Sequence, residues 1–515
     1  MSDKAADPTD YVNLATESYG ASVLWANDDF FASKDNLLKP TEAVFLPEEF
    51  TDRGKWMDGW ESRRRRVPGH DVCIVRLGLP GIVRELVVDT AHFRGNFPKA
   101  CSFEVASLSD KMSTAEILAD DSVWSPLVPE TELKGDSKNR IVVSTPLRAT
   151  HLRFHIYPDG GVARLRVLGE VVAAPRVLGR VEADQDIDLV AVEHGGRVVA
   201  CNDMFFGSRH NLLGSGRGSN MGDGWETKRS RKEAPDWVIV QLGVEGVIHE
   251  AEIDTTHFKG NFPESAALYG LRGVPAGTDV ASLPDSAWQE LLKRSVLEAH
   301  RRHLYDEELR AVGPLTHVKM FIWPDGGVSR LRLRGTPSVE GRTALGLAYL
   351  NSLSSAARKH VFYTCCNSTR FADAMAEAGA FASWAALESA LETTWRGLGP
   401  ADWDEAFAGH PRIGERKPHD AQASREQAGV ASATEDTLTE LARVNAAYEA
   451  KFGRIYLVFA SGKTATEMLE LAKTRIERTT EEELATMVDE QAKITALRLK
   501  RILFRSSLSQ QGAAV

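Results

Sequence analysis

At 515 residues the chain is longer than one hydrophobic core serves, so two to four domains are expected. A hydrophobic share of 43% with 26% charged residues is that of a globular protein, and a formal net charge of -10 argues against general nucleic-acid binding. No apolar run approaches the ~18 residues that a membrane span needs.

The opening, MSDKAADPTD, lacks the basic-then-apolar order of a secretory signal, and the closing QQGAAV is not a peroxisomal address, so a cytoplasmic protein is expected. The cysteines at 73, 101, 201, 365 and 366 have no metal-ligand spacing and are read as reduced. Cys365 and Cys366 are adjacent and pair only with strain.

From residue 27 onward the chain repeats itself. NDDFFASKDNLL (27–38) answers NDMFFGSRHNLL (202–213), and MDGWESRRRR (57–66) answers MGDGWETKRSR (221–231). VVDTAHFRGNFPKA (87–100) answers EIDTTHFKGNFPES (252–265), and IYPDGGVARLRVLG (156–169) answers IWPDGGVSRLRLRG (322–335). The offset is 175 at the first motif and 165 at Trp60/Trp225 and His92/His257, so two units of similar length differ mainly by a loop. The period is too long for a solenoid and marks a duplicated domain.

Each unit reads as β. In HLRFHIY (151–157), Leu152, Phe154 and Ile156 share one face, while Arg153, His155 and Tyr157 share the other. Pro-Asp-Gly-Gly then predicts a hairpin turn into the next strand. Short strands with Gly/Pro turns suggest an antiparallel sandwich or jelly roll. Arg164 and Arg166, with Arg330, Arg332 and Arg334, point alike from that next strand, toward either a carboxylate ligand or solvent. The basic runs at 63–66 and 228–232 likewise face an anionic small ligand or water.

After about residue 338 the periodicity becomes helical. Met468, Leu471, Ala472 and Ile476 predict one apolar face, and Leu484, Met487, Val488 and Ile494 another. The expected architecture is two tandem all-β jelly-roll or sandwich domains, 1–175 and 176–338, followed by an all-α bundle, 339–515.

Polar residues that recur in both copies are the candidates for chemistry: Asp89/Asp254, His92/His257, Arg94/Lys259, Asn96/Asn261 and Glu61/Glu226. Asp and Asn also cap turns, and Gly95/Gly260 permit unusual backbone angles. The histidines are either proton-transfer groups or hydrogen-bonded structural residues. His with Asp or Glu is compatible with a divalent metal, although no His-x-His or His-Glu-x-x-His pattern occurs, so the metal stays open.

The motifs GKWMDGWESRRRR, DTAHFRGNFP, MGDGWETKRSR and DTTHFKGNFP, in order and in both copies, resemble allantoicase over about 15–336. The resemblance implies tandem jelly-roll domains that hydrolyse allantoate to ureidoglycolate and urea. That reaction needs an anchor for the carboxylate, an acid for the leaving urea nitrogen and a base for water. Arg or Lys, His, and Asp or Glu supply these.

The third segment carries CCNSTRFADAM (365–375), FAGHPRIGE (407–415), SREQAGV (424–430), YEAKFGRIYLV (448–458) and LAKTRIER (471–478). Pro411 restricts the backbone beside His410. This set resembles 2-oxo-4-hydroxy-4-carboxy-5-ureidoimidazoline (OHCU) decarboxylase over about 344–503. The resemblance implies an all-α fold and cofactor-free decarboxylation giving (S)-allantoin. It assigns His410 as the catalytic histidine, Glu426 to ring or ureido N–H groups, Arg475 to a substrate carboxylate, and the backbone from Ile455 to Val458 to hydrogen bonding. Two positions depart from the family pattern: Ala423 stands where a serine is usual, with Ser424 one place later, and Arg478 stands where an asparagine is usual.

The expected protein is thus a bifunctional ureide enzyme with small-molecule substrates, no nucleic-acid or membrane partner, and self-association left open. The alternative is a decarboxylase carrying two non-catalytic ligand-binding β modules, since jelly rolls often bind without catalysing.

Overall fold

The computed structural model describes residues 11–109, 111–175, 185–230, 234–274, 277–413 and 434–504. Contacts divide the chain into two compact units, Met1–Ser354 and Ser355–Val515.

In the first unit each sequence repeat folds as a β-sandwich. The first copy contributes β1 (Val12–Asn13), β2 (Ser22–Ala26), β3 (Asp71–Asp89), β4 (Ala100–Ala106), β5 (Ser125–Glu132), β6 (Lys138–Val142), β7 (Arg148–Tyr157) and β8 (Arg164–Val171). The organising element is β3, 19 residues long. Its first half, Cys73–Arg76, lies between β2 and β7; its second half, Glu85–Asp89, lies between β8 and β6. One strand thus belongs to both layers. The crossing falls at Gly78-Leu79-Pro80-Gly81, where Pro80 has no N–H to give a ladder and a Cβ on Gly81 would lie 2.3 Å from the Glu170 carbonyl.

The second copy repeats the plan with β9 (Ile187–Asp188), β10 (Arg197–Cys201), β11 (Asp236–Asp254), β12 (Ser265–Leu271), β13 (Gln289–Val296), β14 (Arg302–Tyr305), β15 (Leu315–Trp323) and β16 (Arg330–Pro337). The expected alternation holds: Leu152, Phe154 and Ile156 are fully buried, and Arg153, His155 and Tyr157 are half-buried. The expected hairpin does not form. β7 and β8 are both hydrogen-bonded to β3 rather than to each other, and Pro158–Gly161 turns the chain from one layer to the other. The alternating pattern was right for each strand, but it says nothing about which strand is the partner.

In the first copy the short helix α1 (Thr114–Ala119) starts with a Ser113–Glu116 capping box. Helix α2 (Val339–Ser352) packs on the second copy: Leu345 joins its core, and a Cβ on Gly341 would lie 2.4 Å from the Glu245 carbonyl.

The second unit is helical: α3 (Ser355–Cys366), α4 (Thr369–Glu377), α5 (Trp384–Arg396), α6 (Pro400–Ala408), α7 (Glu435–Phe452), α8 (Ala465–Arg475) and α9 (Thr480–Phe504). Trp395 is buried at its centre, its ring N–H donating to Val488 O at 2.9 Å. Met468 and Ala472 are fully buried as expected, and Met487, Val488 and Ile494 are buried on α9. Leu471 is a correction: it is 37% exposed, one position off the buried stripe of Met468, Leu469 and Ala472. Among the described residues no helix is long and apolar enough to cross a membrane.

Candidate functional site

Many recurring polar residues prove to be framework. The Trp60 and Trp225 ring N–H groups each donate at 2.8 Å, to Asp28 O and Asp203 O. Asn27 and Asn202 bridge Asp71 to Val72 and Asp236 to Trp237. Asp89 and Asp254 are buried and accept from the backbone N–H two residues on, at 2.9 and 2.8 Å, capping the turn that presents the histidine.

Part of each basic run is committed to the framework, while Arg64 and Arg66 are exposed. Arg63 pairs with Asp28, Arg65 with Asp71 and Lys228 with Asp203. The strand arginines are largely engaged within the protein, although Arg330, Arg332 and Arg334 also line a cleft of about 490 Å³ in the second copy. Arg164 is 1% exposed and donates to Thr41 O and Asp58 O at 2.9 Å and to the Asp58 carboxylate at 2.6 Å. Arg166 holds the carbonyls of Lys39, Pro40 and Thr41. In the second copy Arg330 and Arg332 do the same for Gly216, and Arg334 pairs with Glu250 and Glu252.

Four of the expected residues do come together in the first copy. Glu61, His92, Arg94 and Asn96 line a cleft of about 420 Å³ with Phe31, Phe45, Lys55 and Met57. His92 sits at φ 70 and His257 at φ 76, a left-handed conformation that costs a non-glycine residue. A side-chain acceptor fixes each strained N–H: Asp136 Oδ1 at 2.8 Å for His92, and His300 Nδ1 at 2.8 Å for His257. The rings point back to loop carbonyls, with His92 Nε2 donating to Ala43 O at 3.3 Å and His257 Nε2 to Gly218 O at 2.9 Å. With Nε2 as donor, the neutral ring keeps its lone pair on Nδ1.

Asn96 Nδ2 donates to Glu61 Oε1 at 2.7 Å, and Asn261 Nδ2 to Glu226 Oε1 at 2.6 Å. Burial pushes the Glu61 carboxyl above the usual carboxylate range, against the opposing hydrogen bond from Asn96. Arg94 reaches Asp136 at 3.2 Å. Asp136 is held below the usual range first by the His92 N–H and also by Arg94. Among the described residues no group of three or more His, Cys, Asp and Glu side chains converges. Glu61 and His92 alone, at this cleft, fall short of the donor set a divalent metal takes.

In the helical unit His410 is 9% exposed and lines a small cleft with Pro411, Leu457, Ser461 and Ile494. Gly409 before it is pressed on Asn367, where a Cβ would lie 2.5 Å from Nδ2. The Arg498 guanidinium donates to His410 Nδ1 at 3.5 Å, which puts the proton of the neutral ring on Nε2. Arg475 is not in this lining: it is 3% exposed and donates to Glu483 at 2.8 Å and to Leu457 O at 2.9 Å, with its guanidinium 5.0 Å over the Tyr456 ring. Ile455 is half-buried beside the same segment. Ser424 and Glu426 lie outside the described residues. Cys365 and Cys366 are buried and not joined in a disulfide, and burial pushes Cys366 up to about 12.

Sequence reasoning missed Phe31, Phe45, Lys55 and Met57. The signal for Phe45 and Lys55 was the changing offset between the copies: 21 residues separate Leu38 from Trp60, against 11 between Leu213 and Trp225. Arg498 carried no sequence signal, since it sits on an amphipathic helix like any other charged residue.

Comparison with known proteins matches residues 12–172 and 187–338 to the allantoicase repeat, and 351–500 to OHCU decarboxylase. The chain is 49% identical over 327 residues to a probable allantoicase 2 of Burkholderia pseudomallei, covering 63% of this chain and 94% of that one. It is 45% identical over 326 residues to a probable allantoicase of Pseudomonas syringae pv. syringae, covering 63% and 96%. The crystal structure of allantoicase from Saccharomyces cerevisiae is 34% identical, with TM-score 0.52, over 63% of this chain and 93% of that one.

Proposed function

The chain belongs to the allantoicase family, carries an OHCU decarboxylase domain behind its two repeats, and is a bifunctional enzyme of purine catabolism; from that premise we propose that two separate sites carry its two reactions. Allantoate hydrolysis is assigned to the first-repeat cleft, and decarboxylation to the cleft at His410. The observation that carries the first assignment is the convergence of Glu61, His92, Arg94 and Asn96 on one cleft.

Allantoate has one carboxylate and two ureido arms on a single carbon. Its hydrolysis forms a bond from water oxygen to that carbon and breaks one carbon–nitrogen bond. Nδ1 of His92 takes the proton of the attacking water, and Glu61, whose carboxyl burial favours in its protonated form, gives one to the departing urea nitrogen. Asn96 orients Glu61 through its 2.7 Å bond. The second-repeat set of Glu226, His257, Lys259, Asn261 and Asp254 then serves mainly as framework.

In decarboxylation, loss of CO2 leaves a carbanion that the substrate's imidazolone ring delocalises, so the protein has to orient and protonate. His410, with Nδ1 accepting from Arg498, is set to deliver the Nε2 proton. Glu426 and Ser424 keep the substrate-binding roles the family resemblance gives them. Arg475, to which the resemblance gives a substrate carboxylate, is tied to Glu483 and the Leu457 carbonyl and supports the wall of the cleft from behind. Neither reaction as written needs a cofactor. Small ureides as substrates and cysteines not joined in disulfides fit a reducing, cytoplasmic setting.

The test uses the full chain. His410→Ala should abolish decarboxylation and leave urea release from allantoate intact, while Glu61→Gln should do the reverse. Loss of both activities in either folded variant would overturn separate sites.

A further inference from the structure

We propose that Lys55, carried into the cleft by an insertion that only the first repeat has, anchors the carboxylate of the substrate. This rests on the reading of the first-repeat cleft as the hydrolytic site.

The insertion is an ordered part of the fold. Its base is clamped by Arg164 and Arg166, which between them hold the carbonyls of residues 39–42. The Asp58 carboxylate ties the two ends of the loop, taking the Val44 N–H at 3.0 Å and Lys39 Nζ at 3.2 Å. Beyond the clamp the chain makes a small ladder in which Phe50 faces Lys55 and Thr51 faces Gly54. Gly54 is at φ 135, a conformation open to glycine, and it delivers Lys55 to the cleft edge.

Three features point Lys55 at an anion. Its Nζ lies 4.6 Å over the Phe45 ring, so an aromatic face steers it beside His92, which stacks on the same ring at 5.3 Å. The other cation of the cleft, Arg94, is already paired with Asp136. No carboxylate lies within ion-pair distance of Lys55 among the described residues, whereas Lys34, Lys39 and Lys138 each have one. Allantoate brings a single carboxylate, and Glu61, oriented by Asn96, is already assigned to the departing ureido nitrogen.

The second copy lacks this equipment. In the register set by Trp60 and Trp225, Lys55 is replaced by the neutral Asn220, and nothing corresponds to Phe45. Met221 instead lies against Asn261, with Sδ 3.8 Å from Nδ2. The insertion therefore gives the first-repeat cleft a cation and an aromatic ring that the matching positions of the second copy do not supply.

The experiment compares Lys55→Met, Lys55→Arg and Glu61→Gln in the full chain. Urea release is followed against allantoate concentration, and methylenediurea serves as a competing diureide without a carboxylate. The expected result for Lys55→Met is a KM for allantoate raised about 10- to 100-fold, with kcat within about threefold, the size of a lost hydrogen bond to a charged group. Inhibition by methylenediurea should be unchanged, and Lys55→Arg should recover most of the affinity. An unchanged KM, or a loss confined to kcat, overturns the anchor. If Glu61→Gln also keeps full turnover, the first-repeat site itself falls; if Glu61→Gln is inactive, that site stands and only Lys55 is rejected. Lys55 is exposed, so an unaltered melting profile will show that a KM effect is not a folding effect.

Discussion

The left-handed backbone at His92 gives a way to separate a histidine kept for its ring from one kept for its shape. Two substitutions are compared, His92→Gly and His92→Ala. At φ 70 alanine bears a cost of about 1–2 kcal/mol that glycine does not. Both lose the ring, hence the 3.3 Å bond to Ala43 O and the stacking on Phe45, together about 1–2 kcal/mol. Glycine should therefore come out nearly neutral in stability, because its backbone gain offsets the lost contacts. Alanine should fall about 1–2 kcal/mol below it, a melting difference of a few degrees. Turnover should behave differently. If Nδ1 of His92 moves a proton, the two variants lose the same factor, about 10²–10⁴ in kcat for urea release. The assay is steady-state urea production beside thermal unfolding followed by near-ultraviolet circular dichroism. A glycine variant with near-normal turnover, next to an impaired alanine variant, would refute the catalytic role and leave His92 a turn residue.

Other outcomes follow from the same geometry. Burial raises the folded pKa of Glu61 above its unfolded value, so its contribution to stability is present below the ordinary carboxylate range and is lost as pH rises through the folded value. Glu61→Gln should therefore gain melting temperature relative to the parent as pH rises above the ordinary carboxylate range; a difference flat with pH would contradict the shift. Arg475 and Glu483 are 3% and 1% exposed, and Arg475→Met leaves that carboxylate buried beside Tyr448, at a cost of about 3–5 kcal/mol. Arg475→Met combined with Glu483→Leu should recover much of the loss in urea denaturation of the helical unit, and no recovery would show that the pair is not coupled. Asn96→Ala should lower kcat for urea release more than it raises KM, because Asn96 acts through Glu61; the reverse split would make it a direct substrate contact.

The duplication was fully legible, because two copies in one chain supply their own comparison. It marked which polar residues survive together without saying why. Asn27, Asp28 and Asp89 recur for the same geometric reason as Trp60: they satisfy backbone groups at the sandwich corner. Glu61 and Asn96 recur beside them and meet each other over a gap of 35 positions, which periodicity cannot predict. Lys55 was hidden by the opposite cause. Comparing the copies marks what they share, and Lys55 lies in what they do not. The pairing of β7 and β8 was misjudged because a turn signature fixes a reversal of direction and leaves the choice of sheet to long-range contacts. In the helical segment His410 was singled out by its motif and lines a cleft, while Arg498, 88 positions away, depends on how the helices pack.

The strand β3 runs through both layers of its sandwich, and β11 does so in the second copy. Neither layer can open by itself without breaking the ladder of the other, so each sandwich should yield as a single cooperative block. Amide protons of Cys73–Arg76 and Glu85–Asp89 should therefore exchange at one common, slow rate set by global opening. The insertion that carries Lys55 hangs from this block by arginine clamps and no ladder strand, so it can change length and sequence without loosening what holds it. A duplicated gene could in this way remodel one ligand cleft and leave both scaffolds intact.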